Sequence, residues 1–216
     1  MGRYVAIVLP LILLLSACES AYYDAWEKVG VHKREILIDR IEDAQEAQED
    51  GQEQFKSALE QFRSVINFDG GELETVYNRL NDEYDDSVEA AETIHTRIES
   101  VESVAEALFD EWNDELALYN NPSLRRDSER QLRDTQRRYE RLMKAMRRTE
   151  KTIEPVLASL QDNVLYLKHN LNSRAIASLK GELVTVNQDV NKLVDAMQQA
   201  INQSNEFIQE LRGDAD

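Results

Sequence analysis

Apolar residues recur every three or four positions along most of the chain. The run is clearest between residues 73 and 119, through Leu73, Tyr77, Leu80, Tyr84, Val88, Ala91, Ile94, Ile98, Val101, Ala105, Leu108, Trp112, Leu116 and Tyr119. A step averaging about 3.5 residues keeps these side chains on one face of a helix that winds around its neighbours as in a left-handed coiled coil. A strand would repeat every second residue. Three further stripes have the same spacing. The first passes through Trp26, Leu37, Ile41, Ala44, Phe55, Leu59, Phe62 and Ile66. Another passes through Leu132, Tyr139, Leu142, Met146, Ile153, Leu157, Leu160, Val164 and Leu167, and the last through Ile176, Leu179, Leu183, Val186, Val190, Leu193, Met197, Ile201, Ile208 and Leu211. Helices are therefore expected over 22–68, 72–119, 123–170 and 173–211.

The breaks have a chemical basis. Asp69-Gly70-Gly71 supplies residues that tolerate positive φ. Asn120-Asn121-Pro122-Ser123 combines a stop with a serine able to cap the next helix, and Asn170-Leu171-Asn172-Ser173 is a weaker version with Ser173 as the cap. Pro155 lies inside the third stripe, where it removes one backbone hydrogen bond and should kink the helix. Small residues at Ala44, Ala47 and Gly51 would let a neighbour approach closely. Helices of similar length joined by tight turns pack antiparallel. The expected fold is all-α: an elongated up-down four-helix bundle over 22–212, with a frayed tail at 213–216.

Charge sharpens this picture. The chain has 42 Asp and Glu against 25 Lys and Arg, a net −17, which disfavours nucleic acid as a partner. Between Glu72 and Tyr119 there are fifteen acids and two bases, whereas between Ser123 and Lys151 there are eleven bases and five acids. In an antiparallel bundle the third helix lies beside the second, so interhelical ion pairs on solvated flanks are the plain use of the Arg-rich run.

The N-terminus points to an address. Arg3 precedes an apolar run from Tyr4 to Leu15, followed by Leu15-Ser16-Ala17-Cys18, and Cys18 is the only cysteine in the chain. The run is about a dozen residues, short of the roughly 20 that span a bilayer. This pattern resembles the lipobox of bacterial lipoproteins: a signal peptide over 1–17, removed, then an acylated tether over 18–21 with the lipid on Cys18. An uncleaved signal anchor and an ordinary signal peptide with a chance cysteine are the alternatives. Glu19, in place of the aspartate that retains enteric-type lipoproteins in the inner membrane, favours the outer membrane facing the periplasm. No disulfide can form within one such chain.

Little in the sequence looks catalytic. There is no P-loop and no Gly-x-Ser-x-Gly elbow. Glu92-Thr93-Ile94-His95 matches half of a di-metal motif once, and His32 and His169 lack the matching glutamate, so no metal or cofactor is expected. The most unusual stretch, Asn163 to Ile176, mixes apolar groups with side-chain donors at a turn. Its plain use is capping and a satisfied polar network. Its functional use is a contact through Tyr166, Lys168, His169, Asn170, Asn172 and Arg174.

With the lipobox, Phe68-Asp69-Gly70-Gly71, Ala107-Leu108-Phe109-Asp110-Glu111-Trp112, Ser123-Leu124-Arg125-Arg126-Asp127-Ser128-Glu129-Arg130 and Leu167-Lys168-His169-Asn170-Leu171-Asn172 together, the chain resembles a family of Gram-negative lipoproteins known as domain of unknown function 2959. The resemblance spans nearly all of the chain after the lipobox. It implies a helical, coiled-coil-containing protein and no activity or functional residues. The combined expectation is a non-enzymatic, membrane-anchored envelope protein acting as scaffold, spacer or partner-binding module. The alternative is a periplasmic receptor for a small ligand or lipid. With a tether at Cys18, Arg125 and Arg126 would lie near lipid headgroups. The Tyr166–Arg174 tip would lie distally, towards an envelope protein or cell-wall partner. A homodimer would also be compatible with heptad packing.

Overall fold

A computed structural model describes residues 33–213 apart from positions 69 and 71. The expected signal peptide and tether, Cys18 and Trp26 lie outside the described residues. Four helices fill the described chain: α1 (Lys33–Ile66), α2 (Leu73–Glu115), α3 (Pro122–His169) and α4 (Ser173–Gly213), with a 3-10 turn at Leu116–Leu118 after α2. No strand occurs among the described residues. Each helix packs on two others, α1 on α2 and α4, and α3 on α2 and α4. The expected all-α four-helix bundle is what forms.

Direction follows from cross-helix pairs. Gln54 on α1 donates to the Glu83 carboxylate (2.9 Å) and carbonyl (3.1 Å) on α2, and Ser57 donates to the same carboxylate at 2.8 Å. Lys33, at the start of α1, meets Glu111 near the end of α2 at 3.0 Å. Trp112 Nε1 donates to Ser128 Oγ (2.8 Å), near the start of α3. Tyr166 donates to Ser178 across the last hairpin, and Arg212 reaches Glu42 at 2.7 Å. All four neighbouring pairs are therefore antiparallel. One end of the bundle gathers Lys33, residues 116–126 and Leu211. The other gathers the turns after Ile66 and after His169. At 1.5 Å per residue, the 48 residues of α3 extend about 70 Å.

The apolar stripes form one core. Phe55, Phe62, Leu37, Ile41, Leu80, Ile94, Ile98, Leu142, Met146, Leu160 and Leu167 are fully buried. The α2 stripe is broader than one heptad seam. Val104 and Phe109 are buried beside it, while Tyr77, Tyr84 and Ala91 are only partly covered. At Gly51 the neighbours come very close: a Cβ there would lie 2.7 Å from Ile94 Cδ1 and 3.2 Å from Met197 Cε. This is the close approach expected of the small residues in mid-α1.

Several boundaries differ from expectation. Asn121, not Ser123, caps α3: its Oδ1 accepts from the Ser123 amide at 2.9 Å, and Pro122 takes the first helical position, where its missing N–H costs nothing. Asn172, not Ser173, caps α4, accepting from the Arg174 and Ala175 amides at 3.0 and 3.1 Å. The first α2 segment stops at Glu115 and Tyr119 is extended, so the helix is shorter than 72–119. Gly70 has φ +150°, the positive φ expected of that turn. Helix α3 runs through Pro155, which faces solvent.

Candidate functional site

The residues singled out near the last hairpin do converge on one turn, but not around a cavity. Asn170 closes α3, its amide donating to the Leu167 carbonyl and its side chain to the Tyr166 carbonyl, each at 2.9 Å. Asn172 caps α4. These two therefore do the capping work of the turn. Lys168, His169 and Arg174 are exposed. Tyr166 is half-exposed and lines, with Asn163 and Leu179, a surface recess of about 530 Å³ that does not include the three cationic groups.

Four arginines of the Arg-rich run pair within α3. Arg125 meets Glu129 at 3.0 Å, Arg130 meets Asp127 and Arg137 meets Asp134. Arg147 crosses to Glu102 on α2 and also holds Glu150 at 2.9 Å. Arg138 reaches Glu210 on α4 at 3.2 Å. Arg147 thus pairs α3 with acidic α2.

His95 stands at the edge of that same contact. Its Nδ1 lies 2.8 Å from Glu150, and its Nε2 lies 3.2 Å from Glu99. The hydrogen bond to Glu150, aided by the Glu99 and Glu150 charges, raises its pKa above the usual imidazole value despite some desolvation. A raised folded pKa means the interaction contributes fully below the unfolded value of about 6.5 and fades as pH rises through the folded one. His95→Gln should therefore lower the melting temperature at pH 5.5 but hardly at pH 8.5. The pair is exposed, so the loss should not exceed about 1 kcal/mol. Equal losses at both pH values would disprove the charge effect.

The opposite end of the bundle holds a feature that sequence reading missed. A cavity of about 940 Å³ opens beside Trp112, between the start of α1, the end of α2, the start of α3 and the end of α4, lined among others by Lys33, Arg34, Glu111, Tyr119 and Arg212. The Arg34 guanidinium lies 5.8 Å from the Trp112 ring centroid, a cation–π contact. Lys33, only 7% exposed, is held against Glu111. Tyr139, deeper along the bundle, stacks edge-on with Phe109 at 5.3 Å. Burial, then the Glu102 and Glu106 charges, push its phenol pKa well up, so it stays protonated. Trp112 belonged to the expected seam. It packs against the core as expected, and its indole N–H also reaches Ser128, with Arg34 over its ring.

A family model described as a protein of unknown function, DUF2959, matches residues 22–211. The chain belongs to this family. The match covers α1 to α3 and α4 up to Leu211, begins ahead of Lys33, and brings no activity with it. No curated protein matches the chain. Among the described residues, no helix is long and apolar enough to cross a membrane.

Proposed function

We propose that this protein is a non-enzymatic envelope lipoprotein, acylated at Cys18 and facing the periplasm from the outer membrane, that acts as a scaffold, spacer or partner-binding module. The observation that carries this reading is the polarity of the bundle. Lys33 begins α1 towards one end, and the turns after Ile66 and His169 lie at the other, about 50 Å from Lys33 by the length of α1. A tether ahead of Lys33 would hold the first end at a bilayer and project the second. All four apolar faces are used in one core, which suits a rigid strut. Acyl chains contribute about 0.8 kcal/mol per buried methylene, and one chain alone is only marginal, so several would make attachment durable.

Two measurements test it. Cells fed a fatty-acid analogue should label the chain, and Cys18→Ala should lose that label entirely; equal labelling removes the lipoprotein reading. Photo-crosslinkers at Gly70 and Asn121 should trap different neighbours, envelope protein or cell wall at the first and lipid at the second. Identical adducts at both would count against an upright strut.

A receptor for a small ligand or lipid is the second reading. What favours it is the cavity beside Trp112, not the Lys168–Arg174 tip. A saturable change in Trp112 emission on adding extracted envelope lipids, in a Trp26→Phe background, would prefer it over the scaffold.

A further inference from the structure

The end of the bundle that holds Lys33 carries an apolar surface that the core does not use. Leu118 is 75% exposed, Leu124 54% and Tyr119 41%. They flank one tight turn, which Asn121 and Pro122 hold in place. A leucine left in water forgoes roughly 1.5–3 kcal/mol of burial; a second exposed trio, Leu165, Tyr166 and Leu171, lies at the last hairpin at the other end of the bundle.

The charge around this turn is also local. Residues 116–126 contain no acid, although 42 of the 216 residues are Asp or Glu; residues 163–181 at the other end are acid-free too, so the tether decides between the two ends. Arg125 and Arg126 are the charges there. Arg125 is paired with Glu129, and Arg126 has no ion pair among the described residues. The acids resume at Glu115 and Asp127, immediately outside the segment. Leucine, tyrosine and arginine on an outermost segment, with carboxylates excluded from it, is the chemistry of a bilayer interface. The apolar tips enter the acyl boundary, the phenol sits at headgroup depth, and the guanidinium meets phosphate. A protein partner would not require the acids to be withheld.

The position of the chain ahead of Lys33 selects the same occupant. Fourteen residues separate Cys18 from Lys33. Only at full extension do they reach about 50 Å, the length of the 34-residue α1 that separates Lys33 from the far turn. A lipid on Cys18 therefore holds this end, at every shorter extension, nearer the bilayer than the other.

We propose that residues 118–126 form a second, non-covalent membrane contact, in which Leu118, Tyr119 and Leu124 insert at the lipid interface and Arg126, with Arg125, binds lipid phosphate. This rests on the anchored reading above and adds that the bundle stands on the bilayer by its own surface rather than swinging from its tether.

The test uses the full chain made with its own N-terminus and reconstituted in vesicles of phosphatidylethanolamine and phosphatidylglycerol. An environment-sensitive thiol fluorophore is attached to Leu124→Cys or, as the distal control, Leu171→Cys. All substituted side chains are exposed, so folding is not at stake. Co-sedimentation with the vesicles reports anchoring. Absence of fluorophore on the unsubstituted chain reports a blocked Cys18.

On sedimenting protein, the label at 124 should shift to the blue and be quenched several-fold more by nitroxide lipid than the label at 171. Leu118→Glu with Arg126→Glu should abolish that difference without releasing the protein. If the protein sediments but both labels remain equally open to an aqueous quencher, the contact is disproved and the anchor stands. A label at 124 that is shielded without lipid quenching means that protein covers the patch, whether a second copy or the segment ahead of Lys33, and this also overturns the contact. Protein that does not sediment removes the anchor and the contact together.

Discussion

Replacing Phe55 with alanine is expected to lower the unfolding free energy by about 3–5 kcal/mol, the range for a fully buried phenylalanine. Phe55 has no exposure and lies in the middle of α1, one turn from Gly51, where α1, α2 and α4 approach closely. The wall around it cannot collapse into the space. α1 is clasped to α2 through Gln54, Ser57 and Glu83, and its other flank is held by α4. Most of the cavity should therefore persist, and the full cost should appear. Urea unfolding followed by far-UV circular dichroism measures it. Val184→Ala, at a site 63% exposed, should change stability by no more than about 0.5 kcal/mol. A loss below about 1 kcal/mol at Phe55 would mean that α1 does not pack as described.

Gln48→Met is expected to act in the opposite direction, stabilising by about 1–3 kcal/mol. Gln48 is fully buried, and neither its Oε1 nor its Nε2 has a hydrogen-bond partner among the described residues. Gln52 Nε2, one turn on, and Thr149 Oγ1 on α3 share that condition. A buried, unpartnered polar group costs about 1–3 kcal/mol in desolvation, and an apolar side chain of similar shape removes the cost. Methionine matches glutamine in length and flexibility, so overpacking is small. The buried serines show why the glutamines stand out. Ser87 and Ser204 each donate to the carbonyl four residues back, at 2.6 and 3.0 Å, a local solution open to a short hydroxyl and not to a longer amide. Destabilisation of Gln48→Met by a comparable amount would show that the amide is paired within the core in solution. A gain in stability accompanied by a change in oligomeric state would show that the polar layer fixes helix register, a role known for buried amides in coiled coils.

The helices were legible because a stripe repeated over many turns admits few alternatives. Their ends were less so. At both Asn121-Pro122-Ser123 and Asn172-Ser173, serine and asparagine compete for the cap, and the choice turns on which side-chain oxygen the preceding turn aims at the free amides. Gln48 and Gln52 could have been noticed, since they fall on the three-four spacing between Ala44 and Phe55. A polar residue on a seam leaves no apolar signal, and the gap was read only as small residues. The tip at 166–174 was legible as a turn. That Asn170 and Asn172 serve the backbone there, while Lys168, His169 and Arg174 point outwards, depends on how α3 ends. The cavity beside Trp112 had no sequence signature at all, because its walls come from α1, α2, α3 and α4 at positions more than a hundred residues apart.

The sequence by itself determined the helical class, the number of helices and their antiparallel order, since periodicity and short turns are local properties of the chain. It also carried the family resemblance through contiguous motifs. Only the tertiary structure decided which polar residues are buried, which arginines cross to a neighbour, and which leucines at the turn before α3 are left facing solvent. Those outcomes depend on how far each helix is rotated about its axis and on what stands opposite. A rotation of a few tens of degrees exchanges a core position for a flank without altering the spacing that the chain displays.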